Sequence, residues 1–319
     1  MKNIKTQKYL LVLVLLAGAI VIFSKGAMAA ECSLSRTCGK PCSYGGVLYN
    51  TVIIGTQCWF KENLNVGTMI LNLEIPDNTA PTVNDPNTVS KWCYNDSAAY
   101  CNTEGGLYTW AETNALPNSY NYTSCSVPTL NQGICPKGWH VPSDGEFYTL
   151  ENYLTTPGQT CDPTRGDWGC SGAGNKLILG GSSGFDAIGA GNHETNGDLS
   201  FFDKREPSIH FWSSSPCLNC SNYGHSYNRA LIFGANETVA RSWTINAFGL
   251  SVRCLSDTAV VGPPTNWRQC LKKGWKIFNN PTFKSLGDCL KYFLRDKKIF
   301  DKLNKNESLI EEVSIKELF

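Results

Sequence analysis

Fifteen cysteines, all after residue 30 of a 319-residue chain, are the side chains with the most chemistry open to them: disulfide exchange, metal ligation or nucleophilic attack. Metal ligation would want repeated Cys-x-x-Cys pairs, or such a pair completed by histidines. Only Cys217 and Cys220 stand in that form, and no second pair follows. The density of cysteine suits an oxidising compartment instead. Spacing brings forward Cys93–Cys101, Cys161–Cys170 and Cys270–Cys289 as short loops, beside a long-range Cys135–Cys254 bridge. Cys217–Cys220 is either a small closed loop or a redox pair. These ten leave Cys32, Cys38, Cys42, Cys58 and Cys125, an odd number, so at least one thiol is free or bridges another molecule. Spacing alone does not settle the connectivity, and the alternatives stay open.

The other reactive types are sparse. His140, His193, His210 and His225 show neither His-x-His nor i,i+4 spacing, so no zinc site is expected. His140, next to Trp139, reads as a packed structural histidine. The polar loop 69–90 offers Asp77, Asp85 and carbonyl oxygens to calcium, but no Asp-x-Asp-x-Asp pattern, and reads as a plain loop without a cofactor. Trp212-Ser213-Ser214-Ser215 is not flanked as a nucleophile elbow. Glu206-Pro207-Ser208 has Ser where a calcium-dependent sugar motif has Asn. The expectation is therefore a non-enzyme.

Recognition is better served. Residues 216–228 and the hairpin tips beyond are crowded with Asn, Tyr, Ser and His, types that make adaptable contacts at modest entropic cost. Tyr223, His225, Tyr227, Asn228, Asn236, Glu237, Trp243 and Asn246 are the candidate ligand-binding residues, expected on one face.

The positioning elements are short. Residues 143–154 read as a helix: Ser143 and Glu146 form a capping box, and Phe147, Leu150 and Leu154 share one face. Residues 107–115 read as a shorter helix. Residues 49–54, 227–233, 238–245 and 248–255 read as strands, the last three as two successive antiparallel hairpins. The run 175–179 reads as strand-like. In 227–233, alternation puts Tyr227, Arg229, Leu231 and Phe233 on one face.

Residues 1–29 read as a secretory signal peptide: Lys2, Lys5 and Lys8, then an apolar run over 9–23, then Ala27-Met28-Ala29. Residues 30–43 are a cysteine-rich lead-in, 44–257 the main domain, 258–266 a linker, and 267–319 a small tail stapled by Cys270–Cys289 with a terminal helix. The formal charge is +1, but residues 31–262 hold twelve basic against twenty acidic side chains, a net of −8. Such a surface argues against nucleic acid as a partner. No long apolar run follows the signal, so no transmembrane span is expected in the mature chain; peripheral attachment to the cell envelope through the basic tail stays open.

Five stretches occur in order: residues 51–68 (TVIIGTQCWFKENLNVGT), 105–112 (GGLYTWAE), 133–147 (GICPKGWHVPSDGEF), 211–215 (FWSSS) and 249–255 (GLSVRCL). Together they resemble the Fibrobacter succinogenes major paralogous domain. That resemblance implies a bacterial, secreted or surface-exposed protein of α+β class with a C-type lectin-like fold. Residues 270–293 resemble a short tail module at the ends of some bacterial surface proteins. The expected function is a secreted or cell-surface binding module for an extracellular glycan or protein. The alternatives are a structural envelope or matrix protein and, third, a thiol-dependent enzyme related to the formylglycine-generating enzymes, which share the broad fold.

Overall fold

The computed structural model describes residues 29–33, 38–123, 125–128, 130–196, 199–205, 208–220, 223–234, 237–258, 270–271, 273–276, 278 and 281–294. The signal segment up to residue 28, residues 259–266 of the linker, residues 295–319 of the tail, Glu206, Pro207 and Asn236 lie outside them.

The described strands are β1 (Cys42–Tyr44), β2 (Val47–Tyr49), β3 (Thr51–Ile54), β4 (Gln57–Phe60), β5 (Thr68–Ile70), β6 (Ser90–Trp92), β7 (Trp139–His140), β8 (Trp168–Gly169), β9 (Asn192–Asn196), β10 (Leu199–Asp203), β11 (Ser208–Pro216), β12 (His225–Ile232), β13 (Val239–Ile245) and β14 (Leu255–Ser256). The helices are α1 (Ala98–Glu104), α2 (Trp110–Thr113), α3 (Asp144–Leu154), α4 (Ala173–Leu177) and α5 (Leu286–Leu294). Two four-stranded antiparallel sheets organise the body, in the orders β11-β12-β13-β8 and β3-β4-β14-β7. The class is mixed α+β with short strands, as the family resemblance implied.

α3 begins where its capping box says. Ser143 Oγ accepts from Glu146 N, and the Glu146 carboxylate accepts from Ser143 N at 2.8 Å. Phe147, Leu150 and Leu154 are buried against Trp59, Phe185, Phe211, Leu231 and Val239. Burying each side chain stabilises the fold by about 1.5–3 kcal/mol. Trp59 and Phe147 lie 5.3 Å apart, ring to ring, so the helix joins both sheets through β4 and β11.

Seven disulfides close the described chain: Cys32–Cys42, Cys38–Cys58, Cys93–Cys101, Cys135–Cys254, Cys161–Cys170, Cys217–Cys220 and Cys270–Cys289. Cys125 is free and half-buried. Among the described residues no helix is long and apolar enough to cross a membrane. Around Cys270–Cys289, Phe278 is buried with Trp275, Phe283, Leu286 and Leu290 packed against it, a core too small to stand without its staple.

Three expectations about the elements are corrected. Of the helix expected over 107–115 only Trp110–Thr113 is helical, because Leu107 and Tyr108 bridge to Trp92 and Leu250. Residues 175–179 are not a strand. Gly172, in the left-handed region at φ 83°, turns the chain into α4, which buries Ala173 and Leu177 at helical spacing. Residues 248–255 do not form a second hairpin with β13. Gly249, Leu250 and Ser251 bridge instead to His193, Tyr108 and Phe211, and only Leu255–Ser256 is strand, paired with β4 and β7. A side chain at Gly249 would meet His193 and Trp92 at 2.9 Å, so the segment threads between elements far away in sequence.

Candidate functional site

β12 is an inner strand of its sheet, and its register fixes which residues share a face. His225 lies opposite Ile245, Tyr227 opposite Trp243, and Arg229 opposite Arg241. Directly opposed residues point to the same side. That side carries Phe211, Arg229, Leu231 and Val239 toward α3. The helix starts at Asp144, and the sheet runs on beyond it.

Past the helix start the same face is open. Trp243 is 45% exposed, Ile245 36% and Tyr223 68%. His225 packs edge-on against Trp243 at 5.0 Å, and its Nδ1 lies 3.0 Å from Tyr223 O. Leu218, on the loop closed by Cys217–Cys220, is exposed, and Cys217 N donates to His225 O. Asn121 O and Thr123 N close on Gly224 so tightly that a Cβ there would stand 3.0 Å from either, which brings exposed Tyr122 to the same end. The result is an aromatic ledge made where a nine-residue strand outruns its covering helix.

Of the eight residues expected on one ligand face, Tyr223, His225, Tyr227 and Trp243 come together at the ledge. Asn228 and Asn246 are buried, Asn246 donating through Nδ2 to Tyr120 O at 3.2 Å, so they brace the ledge from behind. Glu237 is exposed at the opposite end of the hairpin, where Ser171 Oγ donates to its carboxylate. The length of β12 therefore divides the single expected face, and Asn236 lies outside the described residues.

Beneath the ledge sits a cluster the sequence reading missed. Arg229 Nη1 donates to Asp144 Oδ1 at 2.7 Å, and its Nε donates to Glu151. Arg241 Nε bonds both Asp144 oxygens at 3.0 Å, and its Nη1 donates to Arg165 O. Arg165 Nη2 donates to Glu151 Oε2 at 2.6 Å. Arg241 stacks over Tyr227, 4.0 Å from the ring centre. Burial opposes its charge, and Asp144 and Tyr227 outweigh it, so its pKa is raised. Three guanidinium groups meet two carboxylates on the face where alternation put Tyr227, Arg229, Leu231 and Phe233. The signal was present: Asp144 and Glu151, two helical turns apart, share a face of α3 and can meet an arginine in mid-strand.

The expectation of a non-enzyme is also corrected at this cluster. Glu151, Cys161 and Cys170 are all buried, with candidate ligand atoms within 4.8 Å of one another, a donor set capable of holding a metal ion. Cys170 Sγ lies 3.7 Å from Glu151 Oε2. With Cys161–Cys170 closed the sulfurs are joined to each other, and the Glu151 oxygens accept from Arg165 and Arg229. Metal ligation there requires thiolates, hence reduction. Two sulfurs and a carboxylate suit a borderline-soft cation such as zinc.

The histidines are tied elsewhere. His140 is buried, with Nδ1 2.7 Å from Asp257 Oδ1 and Nε2 2.9 Å from Glu146 Oε1. Burial opposes its charge, yet the two carboxylates win and its pKa is raised. His193 stacks on Trp92 at 4.0 Å and places Nε2 by Asn72; burial pushes it down to about 4. Burial likewise pushes His210 down to about 4. Asp77 accepts from Thr79 N and Asp85 from Asn87 N, each closing its own turn.

The family model of the Fibrobacter succinogenes major domain matches residues 52–256. No curated protein and no solved structure matches the chain. The match spans both four-stranded sheets, α3, the Cys135–Cys254 bridge and the ledge, well over half of the sequence. The chain belongs to the Fibrobacter succinogenes major domain family.

Proposed function

We propose that the chain is an exported bacterial binding module, secreted or held at the cell surface, which recognises an extracellular glycan or protein at the aromatic ledge. Its architecture is a variant of the C-type lectin-like fold, its ligand end set by loops and strand ends. The carrying observation is the uncovered end of the β12–β13 face. Tyr223, Trp243 and Ile245 lie in solvent beside Leu218, while an ion cluster and buried Asn228 and Asn246 hold the strands beneath them rigid. Exposed large apolar side chains grouped on a disulfide-bound body are a recognition surface more often than an accident of folding. The basic lead segment and the oxidised cysteines support export.

The test is binding of the purified, disulfide-intact chain to glycan and protein arrays, repeated with Trp243→Ala and Tyr223→Ala. Both side chains are exposed, so folding should survive. A ligand that loses at least about tenfold affinity with either variant supports the ledge, since a stacked aromatic contributes about 1–3 kcal/mol. Ligands indifferent to both, or no ligand on either array, would favour a structural spacer in the envelope.

A further inference from the structure

The ledge has a main-chain side as well as a side-chain side. Asn246 N donates to Gly224 O at 2.9 Å, and Cys217 N donates to His225 O at 2.8 Å. Antiparallel pairs alternate between bonded and non-bonded. Gly224/Asn246, Ser226/Thr244 and Asn228/Ser242 are therefore the pairs whose main-chain groups face each other, and Tyr227/Trp243 is not. The N–H and C=O of Trp243, and the N–H of Ile245, point away from β12, to the outer edge of the sheet.

That edge is occupied only at its start. β8 pairs with Val239 and Ala240, and Asp167 O accepts from Arg241 N at 3.2 Å. Beyond Arg241, the outward groups of Trp243 and the Ile245 N–H have no hydrogen-bond partner among the described residues. The opposite edge of the sheet is closed: Ser251 O accepts from Trp212 N, and Pro142 O from Ser214 N. The β10 edge carries a plug of another kind, Asn72 Nδ2 donating to Ser200 O. β13 has none of the usual guards at this point. No proline, lysine or bulge interrupts residues 242–245, and Trp243 and Ile245 present apolar side chains.

We infer that the open edge of β13 at Trp243–Ile245 is a strand-addition site, and that the partner is an extended polypeptide laid end to end with β8. This rests on reading the ledge as a ligand surface, and narrows its ligand to a protein. A row of unpaired N–H and C=O at strand spacing is matched by another backbone. β8 already makes that kind of pair two residues away. The added strand extends the Trp243/Ile245 face on one side and meets Ser242 and Thr244 on the other. Its own sequence therefore carries apolar residues at alternate positions.

The test pans a random dodecapeptide display library against the full, disulfide-intact chain. Ile245→Pro is the decisive variant. Proline there removes an outward N–H and takes no bond from the β12–β13 ladder. Circular dichroism and the melting midpoint establish that it folds. Trp243→Lys, which keeps the donor and charges the edge, is the second variant. Enriched peptides should show apolar alternation, bind both variants at least about tenfold more weakly, and lose binding when N-methylated at alternate residues. No enrichment, or peptides that bind Ile245→Pro or survive N-methylation unchanged, overturns the inference. So does self-association dissolved by Ile245→Pro, which would make the occupant a second copy. Glycan binding lost in Trp243→Ala without peptide enrichment sinks the edge and leaves the ledge standing; no ligand of either kind sinks both.

Discussion

Glu151→Gln should be among the most damaging isosteric substitutions in this chain. Glu151 is 1% exposed, and each of its oxygens accepts from a guanidinium, Oε1 from Arg229 and Oε2 from Arg165 at 2.6 Å. The amide fills the same volume, so no cavity opens. It replaces one acceptor oxygen with a donor facing an arginine, and leaves three guanidinium groups beside the single carboxylate of Asp144. Removing one partner of a buried pair costs about 3–5 kcal/mol, because the remaining charge stays desolvated. Arg165 loses its carboxylate partner and Arg229 keeps only Asp144, which it shares with Arg241, so we expect about 4 kcal/mol. A domain holds about 5–15 kcal/mol in all, so this is a large fraction of its stability.

Arg229→Met serves as the internal control. It deletes the bonds to Glu151 and Asp144 but brings the cluster to two cations and two anions, while Met preserves the packing on Phe147. About 2–3 kcal/mol is expected, less than for Glu151→Gln. Guanidinium denaturation with disulfides intact reads both as midpoint shifts at constant slope. If Glu151→Gln costs under about 1 kcal/mol, or less than Arg229→Met, the excess of positive charge is not what makes Glu151 indispensable.

Three further outcomes concern the histidine clamp, the long-range disulfide and the buried Glu151–Cys161–Cys170 set. His140 has a raised pKa, so its contribution is whole below the unfolded value of 6.5 and fades as pH rises through the folded one. Burial pushes the Glu146 carboxyl up, but bonds from His140 and Ser143 leave it lowered, so its part fades as pH falls through the depressed value. The melting midpoint should fall as pH rises above 6.5 through the raised folded value, and His140→Gln should flatten that limb; an unchanged profile counts against the clamp. The paired change Cys135→Ser with Cys254→Ser opens a loop of sequence separation 119, worth up to about 5 kcal/mol by chain entropy and less because inner bridges already shorten it; a midpoint in denaturant shifted by under about 1 kcal/mol would refute the clamp. Zinc titration of the oxidised chain should show no uptake at Glu151. Selective reduction should create a site that Cys170→Ser abolishes, read by competition with a chromogenic chelator; uptake unchanged by Cys170→Ser would place the metal elsewhere.

What the sequence told, it told through local chemistry. α3 was legible because Ser143, Glu146 and the three apolar residues that follow lie within a dozen positions and need no distant partner to make sense. The β12–β13 hairpin was legible for the same reason, with Gly234 at φ 77° beside its turn. Cys135–Cys254 is the exception in reach, visible because disulfides restrict cysteine to few roles in an oxidising compartment. Residues 248–255 failed because their apolar alternation suits any sheet, and their partners, Tyr108, His193 and Phe211, come from three other places in the chain. The strand reading of 175–179 failed because Lys176, Leu177 and Ile178 resemble strand, whereas the left-handed turn at Gly172 commits the chain to the helix Ala173–Leu177.

The ledge was half legible, and the reason lies in lengths. Residue types around Tyr223 and Trp243 marked recognition, but types do not say where a covering helix stops. α3 starts at Asp144 because Ser143 caps it, and Asp144 there takes hold of Arg229 and Arg241. Two residues further on, the capping box's own Glu146 is bound to His140, which reaches Asp257 just after the last strand. The helix start is therefore held from two directions, by arginines on the sheet and by a histidine clamp to the chain's return. Lengthening α3 toward its N-terminus would bury Trp243 and break both. The uncovered end of the sheet is thus a consequence of how the helix is begun, and the open edge of β13 persists because nothing beyond Asp167 is positioned to pair with it among the described residues.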